Sequence, residues 1–373
     1  MTRARDLGIP LQGTPGPANA LTDVPGVEVG TVTIVQDTDD PEVCARTGVT
    51  AILPLGRTGV ASSCAAGFSC LNGNGEMTGV HWIQETGALS GPVMITNTHA
   101  VGPVHAGVIE WAVRHRPDVA TEWMLPVVAE TWDGYLNSIN VPFVSPAHAI
   151  EAIESASSGP VPEGNVGGGT GMNCYGFKGG TGTSSRRVDL GTQTFTVGVL
   201  CQANFGVREE LVISGVPLGD LDVPNPMSDT DWFEQDRRRA APGAGSVIVV
   251  VGTDAPLLPG QCAALARRVP LGLARTGTAG GHFSGDLFLA FSTANAGVLD
   301  SGFPEGPPVM RTMTVLPWNA IDPFLVATVQ AVEEAVLNAL VAAQEMRGRA
   351  GHVSHALPHA AVTTRLHRAI SSR

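Results

Sequence analysis

Lysine is nearly missing from this 373-residue chain: Lys178 stands alone beside 21 arginines, a bias of composition rather than of mechanism. Positive charge is scarce in general. Acidic residues outnumber basic ones 34 to 22, the formal net charge is −12, and no basic cluster stands out. A nucleic-acid partner is therefore not expected. No apolar run approaches the roughly 20 residues of a bilayer span, so no membrane partner is expected. The opening MTRARDLGIP lacks the apolar centre of a signal peptide. The six cysteines (Cys44, Cys64, Cys70, Cys174, Cys201, Cys262) form no CxxC pair, and they read as reduced thiols of a cytoplasmic protein.

Charged residues amount to only 15%, whereas hydrophobic ones reach 43%, enough to bury a core without staples. The 46 glycines and 27 prolines are interspersed with Val/Ile/Leu runs, which indicates tight turns in a packed globule rather than disorder. Strands are expected at 27–35, 48–54, 92–98, 193–202, 246–253 and 283–295, each bounded by Gly or Pro. Helical patterns occupy 103–115, 146–156, about 259–275 and about 323–346. In the last, Asp322 can cap, Val326, Val329, Ala335, Val336 and Leu340 form a stripe, and Gly348 stops the helix. Residues 222–245 read as an exposed linker ending where a strand begins, a cut inside one domain rather than a domain boundary.

That cut falls at Gly245-Ser246. A serine opening an apolar strand after a flexible Gly-Ala-Gly lead suits an N-terminal nucleophile made by self-cleavage, and equally suits a Gly-Ser pair that merely starts a strand. In the first case the Ser246 hydroxyl attacks the Gly245 carbonyl, glycine admitting the strained backbone of an N→O shift. The freed α-amine, with a pKa of about 7.7–8.0, can then act as base for its own hydroxyl. Ser284 and Asp286 alternate onto one strand face, where the carboxylate can orient the hydroxyl for proton relay, unless that face is simply polar and solvated. Asn204, just past a strand end, can donate to an oxyanion or serve as a turn residue. The segment AETWDGYLNS concentrates Glu130, Trp132, Asp133 and Tyr135: one of the two carboxylates can bind a substrate ammonium and Tyr135 can donate to an oxyanion, or else the segment is an aromatic helix start.

The loop GNVGGGTGMNCYGFKGGTGTSSR (164–186) holds nine glycines in 23 residues. It matches neither GxGxxG nor GxxxxGK[ST], so close backbone approach beside a site is favoured over a nucleotide cradle. His352, His355 and His359 have spacings compatible with a metal but lie in a polar tail read as solvated, and His99 and His105 read as packing residues. No metal and no cofactor is expected.

The segments RARDLGIPLQGTPGPANALTDVPGVEVG, RTGVTAILP, GNGEMTG, ITNTHAVGPV, AETWDGYLN, GGGTGM…GFKGGTGTSSR and Gly245-Ser246, in this order, resemble the self-processing serine aminopeptidases. That group includes the L-aminopeptidase/D-amidase-esterase and the β-peptidyl aminopeptidases, and the resemblance runs from about residue 3 to about residue 345. It implies an α+β fold, a four-layer αββα sandwich like the N-terminal-nucleophile hydrolases but differently connected. It also implies a single domain cut into 1–245 and 246–373, usually as a homotetramer of such pairs. Carried over by residue, Ser246 resembles the nucleophile, Gly245 the last residue of the long chain, Asn204 the oxyanion donor and Ser284 the accessory serine. Tyr135 resembles a further oxyanion-hole or pocket residue, and Glu130 is the choice for the substrate's free amine. Asp286 stands where some members have glutamate, one methylene longer. The substrates implied are short peptides, amino-acid amides or esters. Two other readings remain: an acyltransferase like the ornithine acetyltransferases, which look to use threonine at the cleavage site, and an unprocessed binding homologue that kept the fold.

Overall fold

β-Branched runs pair into two sheets, and Ala-rich segments cover them. The computed structural model describes residues 2–120, 124–225, 245–303, 306–307 and 309–371. The first sheet has the order β1 (Glu28–Asp37), β2 (Cys44–Leu53), β5 (Val93–Asn97), β6 (Val127–Thr131). The second runs β4 (Ala88–Leu89), β3 (Cys64–Gly73), β10 (Ser284–Ser292), β9 (Gly245–Thr253), β8 (Gln193–Asn204), β7 (Gly180–Leu190). Neighbours are antiparallel except β5/β6 and β9/β10, which are parallel.

The apolar faces of the sheets meet in one cluster, with Ile52, Ile95 and Ala129 against Leu200, Ile248, Val250 and Leu289. Helices α1 (Val101–His115) and α2 (Pro146–Glu154) cover the outside of the first sheet, packing Val104, Val108, Trp111 and Ile153 onto Val49 and Met94. Helices α3 (Pro259–Ala266), α4 (Val269–Ala274) and α5 (Asp322–Ala342) cover the second, with Phe324, Val332 and Leu340 over Val199, Val249 and Phe288. The result is the αββα layering that the resemblance implies.

Several expectations need correction. The helix expected over 259–275 is two helices, because the chain restarts at Val269 with Pro270, which lacks an N–H, in the first turn. In α5, Asp322 sits in the first turn rather than at the cap, Val326 is exposed, and the buried stripe is Phe324, Ala327, Thr328, Ala331, Val332 and Ala335. This helix is long and apolar enough to cross a bilayer by length and composition, yet most of it is buried as the core of the domain. The tail is not simply solvated: α6 (His359–Ser371) buries Val362 and Leu366 against the second sheet's helical layer. Of the expected linker, residues 226–244 lie outside the described residues.

A buried ionic cluster ties α5 to β7 and the N-terminal segment. Glu334, fully buried, accepts from Arg186 (2.7 Å), Arg5 (2.8 and 2.9 Å) and Asn19 (2.6 Å). Burial alone would raise its carboxyl, but the hydrogen bond from Arg5 and the charge of Arg186 hold it below the ordinary carboxylate range. A depressed carboxyl adds stability above its ordinary pKa of about 4.3, and that stability is lost as pH falls below it. Glu334→Ala strands the Arg186 guanidinium without its counter-charge, and we expect a loss of about 3–5 kcal/mol in urea unfolding at pH 7. A loss below about 1 kcal/mol would show that the cluster contributes little.

Candidate active site

Gly245 and Ser246 open β9 in the middle of the second sheet. Ser246 lies directly opposite Asn204 in the antiparallel β8/β9 ladder and beside Gly285 in the parallel β9/β10 ladder. The side chains of paired residues share a face, so the sheet register itself sets the Asn204 carboxamide beside the Ser246 hydroxyl. That hydroxyl donates to the Gly245 carbonyl oxygen at 2.6 Å and accepts from the Gly285 N–H at 3.3 Å. It thus rests against the carbonyl group it would attack. Glycine at 245 has a steric reason: a Cβ there would come within 2.4 Å of the Asn204 carbonyl oxygen. Glycine at 285 has another, since a Cβ would strike the Asn74 carbonyl oxygen at 2.5 Å where the 73–76 turn presses onto β10.

The Asn204 carboxamide is fixed from both ends. Its Oδ1 accepts from the Asn173 N–H at 2.9 Å, and its Nδ2 donates to the Trp132 carbonyl at 3.0 Å. One N–H of the amide is thereby left as a donor for developing negative charge. Ser284 donates to Asp286 Oδ1, and Asn72 donates to Asp286 Oδ2 at 2.9 Å. Burial raises the Asp286 carboxyl, opposed by the hydrogen bonds from Ser284 and Asn72.

Ser284 and Asp286 do share a strand face, but it is the face of Val247, Asp286's register partner, and so opposite that of Ser246. The described bonds of the Ser246 hydroxyl go to Gly245 and Gly285, so a relay from Ser284 must run past the backbone at the strand's start. Beside Ser284 and Asp286, a cavity of about 20 Å³ also touches Phe205, Glu210, Val247 and Leu273. This is room for about one water.

Glu130, on the edge strand β6, is 3% exposed and accepts from the Glu76 N–H (2.8 Å) and the Thr98 hydroxyl (2.5 Å). Burial raises its carboxyl, opposed by those two bonds. A Cβ on Gly75 would lie 3.3 Å from Glu130 Oε1 and 3.0 Å from the Gly285 Cα, so the 73–76 turn bridges Glu130 to the strand pair that carries Ser246. Tyr135 is buried farther along the same segment, stacked on His352 at 4.7 Å, with its hydroxyl donating to the Val353 carbonyl at 3.3 Å. Donation to an oxyanion would require giving up that carbonyl.

The structure therefore gathers Ser246, Gly245, Asn204 and Gly285 directly. It brings Ser284 and Asp286 alongside through the β9/β10 ladder, and Glu130 through the 73–76 turn. The supporting roles of Asn72, Thr98, Asn173 and Trp132 were not read from the sequence, because each acts on a residue distant in the chain, Asn72 for example across the β3/β10 ladder onto Asp286. The three tail histidines do not converge on a metal: His352 bonds the Tyr135 carbonyl, His355 pairs with Glu345 and His359 bonds the Val341 carbonyl. No group of three or more metal-ligating side chains occurs among the described residues.

Comparison with known proteins identifies the family. The sequence profile of peptidase family S58 matches residues 19–354. The chain is 47% identical to the β-peptidyl aminopeptidase of Sphingosinicella microcystinivorans over 364 residues, covering 96% of this chain and 90% of that one. Among solved structures, the L-aminopeptidase D-Ala-esterase/amidase of Ochrobactrum anthropi, described as a variant of the N-terminal-nucleophile hydrolase fold, superposes with a TM-score of 0.89. It is 43% identical, with 99% of each chain covered. A β-aminopeptidase of Burkholderia sp. superposes equally well, TM-score 0.89 at 42% identity, covering 98% of this chain and 99% of that one. Profile, sequence and fold agree over nearly the full length, and the chain belongs to peptidase family S58.

Proposed function

We propose that this protein cuts its own Gly245–Ser246 bond and then, through the new N-terminal serine, removes N-terminal residues from short peptides, amino-acid amides or esters. The chain is a hydrolase of the aminopeptidase type, like its relatives. The observation that carries the self-cleaving reading is the contact of the Ser246 hydroxyl with the carbonyl immediately before it. In the first step Oγ bonds to the Gly245 carbonyl carbon, and the C–N bond breaks as the Ser246 nitrogen takes up a proton. Water then opens the resulting ester, leaving a Gly245 carboxylate, a free hydroxyl and a free α-amine.

In turnover the Oγ proton passes to a base as oxygen attacks the substrate's first amide. Asn204 donates to the oxyanion, the leaving amine takes the proton, and water releases the acyl group from Ser246. The Ser246 α-amine is one candidate base and the Ser284/Asp286 pair, at the start of the same strand pair, is the other. Removing an oxyanion donor costs about 10²–10³-fold in kcat. Asn204→Ala is expected to lose that much with KM little changed, read from release of p-nitroaniline from amino-acid p-nitroanilides. A KM-only effect would remove Asn204 from the oxyanion.

Association into a tetramer of processed pairs is supported by apolar side chains left exposed after the second sheet, among them Phe303, Val309, Met310 and Trp318. A cytoplasmic setting suits the six free cysteines. Light scattering on the purified protein tests the first, and fractionation of the source cells tests the second.

A further inference from the structure

The single lysine lies at the heart of the glycine-rich loop. Lys178 is fully buried, and its Nζ donates to the carbonyls of Met172 (2.6 Å), Gly179 (3.0 Å) and Gly169 (3.4 Å). The Met172 carbonyl also accepts from the Gly179 N–H at 2.9 Å. Met172 C=O and Asn173 N–H belong to one peptide unit, and it is that N–H which donates to Asn204 Oδ1. A trans peptide points its C=O and N–H in opposite directions, so Lys178 grips one side of the plane while Asn204 binds the other. Donation to the carbonyl also polarises the N–H on the far side.

The second bond that orients Asn204 is donated by its Nδ2 to the Trp132 carbonyl, whose peptide unit continues into Asp133. Asp133 is likewise fully buried; its Oδ1 accepts from Asn137 at 3.0 Å, and the Thr47 hydroxyl also stabilises the carboxylate. It is the carboxylate whose charge acts on Lys178, and the lysine's charge acts on it in turn. Burial pushes the Lys178 ammonium down to about 7, opposed chiefly by the Asp133 charge. It pushes the Asp133 carboxyl up to about 7, opposed by hydrogen bonds from Thr47 and Asn137 and, less, by the Lys178 charge. A Cβ on Gly171 would meet the Asp133 Cβ at 2.9 Å, so the loop closes directly on this carboxylate.

We propose that Lys178 and Asp133 are a buried pair of positioning residues that hold the two peptide units aiming the Asn204 carboxamide at the Ser246 carbonyl adduct. The proposal rests on Asn204 being the oxyanion donor, and a double-mutant cycle separates the two claims. Supporting groups of this kind are worth on the order of 10- to 100-fold. Lys178→Met, made in the full chain and confirmed as folded and cleaved, is expected to lower kcat by that factor with KM within about threefold. In the Asn204→Ala background the same change is expected to cost no more than about twofold, because the group it positions is gone.

Equal losses in both backgrounds, or a loss confined to KM, overturn the proposal while leaving the oxyanion role intact. A near-normal Asn204→Ala enzyme overturns the oxyanion role itself. Asp133→Asn, which keeps the shape and removes one charge, runs the same cycle if Lys178→Met does not reach the folded enzyme. Failure of both variants to fold makes the pair a core-stability device and overturns the proposal.

Discussion

Ser246→Ala is expected to give a single uncut chain of 38.5 kDa, with kcat/KM for amino-acid p-nitroanilides lowered by on the order of 10⁵-fold or more. Two losses coincide in this variant. Without the hydroxyl that contacts the Gly245 carbonyl there is no attacking atom for self-cleavage. Without cleavage there is no free α-amine at position 246, so both nucleophile and candidate base disappear together. What activity remains is what a prearranged donor such as Asn204 and substrate binding provide without a nucleophile. The variant should otherwise fold normally, because alanine fills the same strand position and removes only one oxygen. A Ser246→Ala chain that still separates into pieces of 245 and 128 residues would place the nucleophile elsewhere.

Glu130→Gln is expected to lower kcat/KM for free-amine substrates by about 30-fold to several thousand-fold, the equivalent of removing one partner of a desolvated charge pair at about 2–5 kcal/mol. Glu130 is almost fully buried and its two described donors, the Glu76 N–H and the Thr98 hydroxyl, are neutral. Among the described residues no positive side chain hydrogen-bonds it and only that of His99 acts on it by charge, so a substrate ammonium is the counter-charge that its position invites. The same reasoning makes N-acetylated substrates poor, since a capped amine leaves the carboxylate desolvated and unpaired. The Gln variant keeps the shape and one acceptor, so it should discriminate less between free and acetylated substrates than the unaltered enzyme. Equal turnover of both by the unaltered enzyme would remove Glu130 from amine recognition.

Much of the scaffold was legible because its signals are local. Six strands and three of the four expected helices fall near where the local pattern placed them, although α5 ends at Ala342 with Ala343 extended, and a short strand, Met346–Arg347, precedes the Gly348 expected to stop it. β3, with the small-residue sequence CAAGFSCLNG, was not foreseen: its stability comes from burial between β4 and β10 rather than from β-branched residues. Ser246, Ser284 and Asp286 could be singled out because each lies at a strand start with a recognisable neighbour. Their geometry could not, since the facing of Ser246 with Asn204 depends on a ladder between strands separated by about 40 residues. The lone lysine read as a quirk of composition, because nothing in GFKGG reveals that its ammonium turns inward onto three carbonyls. Tyr135 and the histidine tail were likewise invisible as a pair; only the fold stacks Tyr135 on His352.

The most direct measurement is intact mass spectrometry of the purified protein, taken before and seconds after mixing with an activated amino-acid ester that deacylates slowly. The expected result is two chains, the smaller beginning Ser246-Val247-Ile248, with one acyl group added to that smaller chain alone. A single intact chain that releases N-terminal amino acids at full rate, or an acyl group carried on any residue other than Ser246, would contradict it.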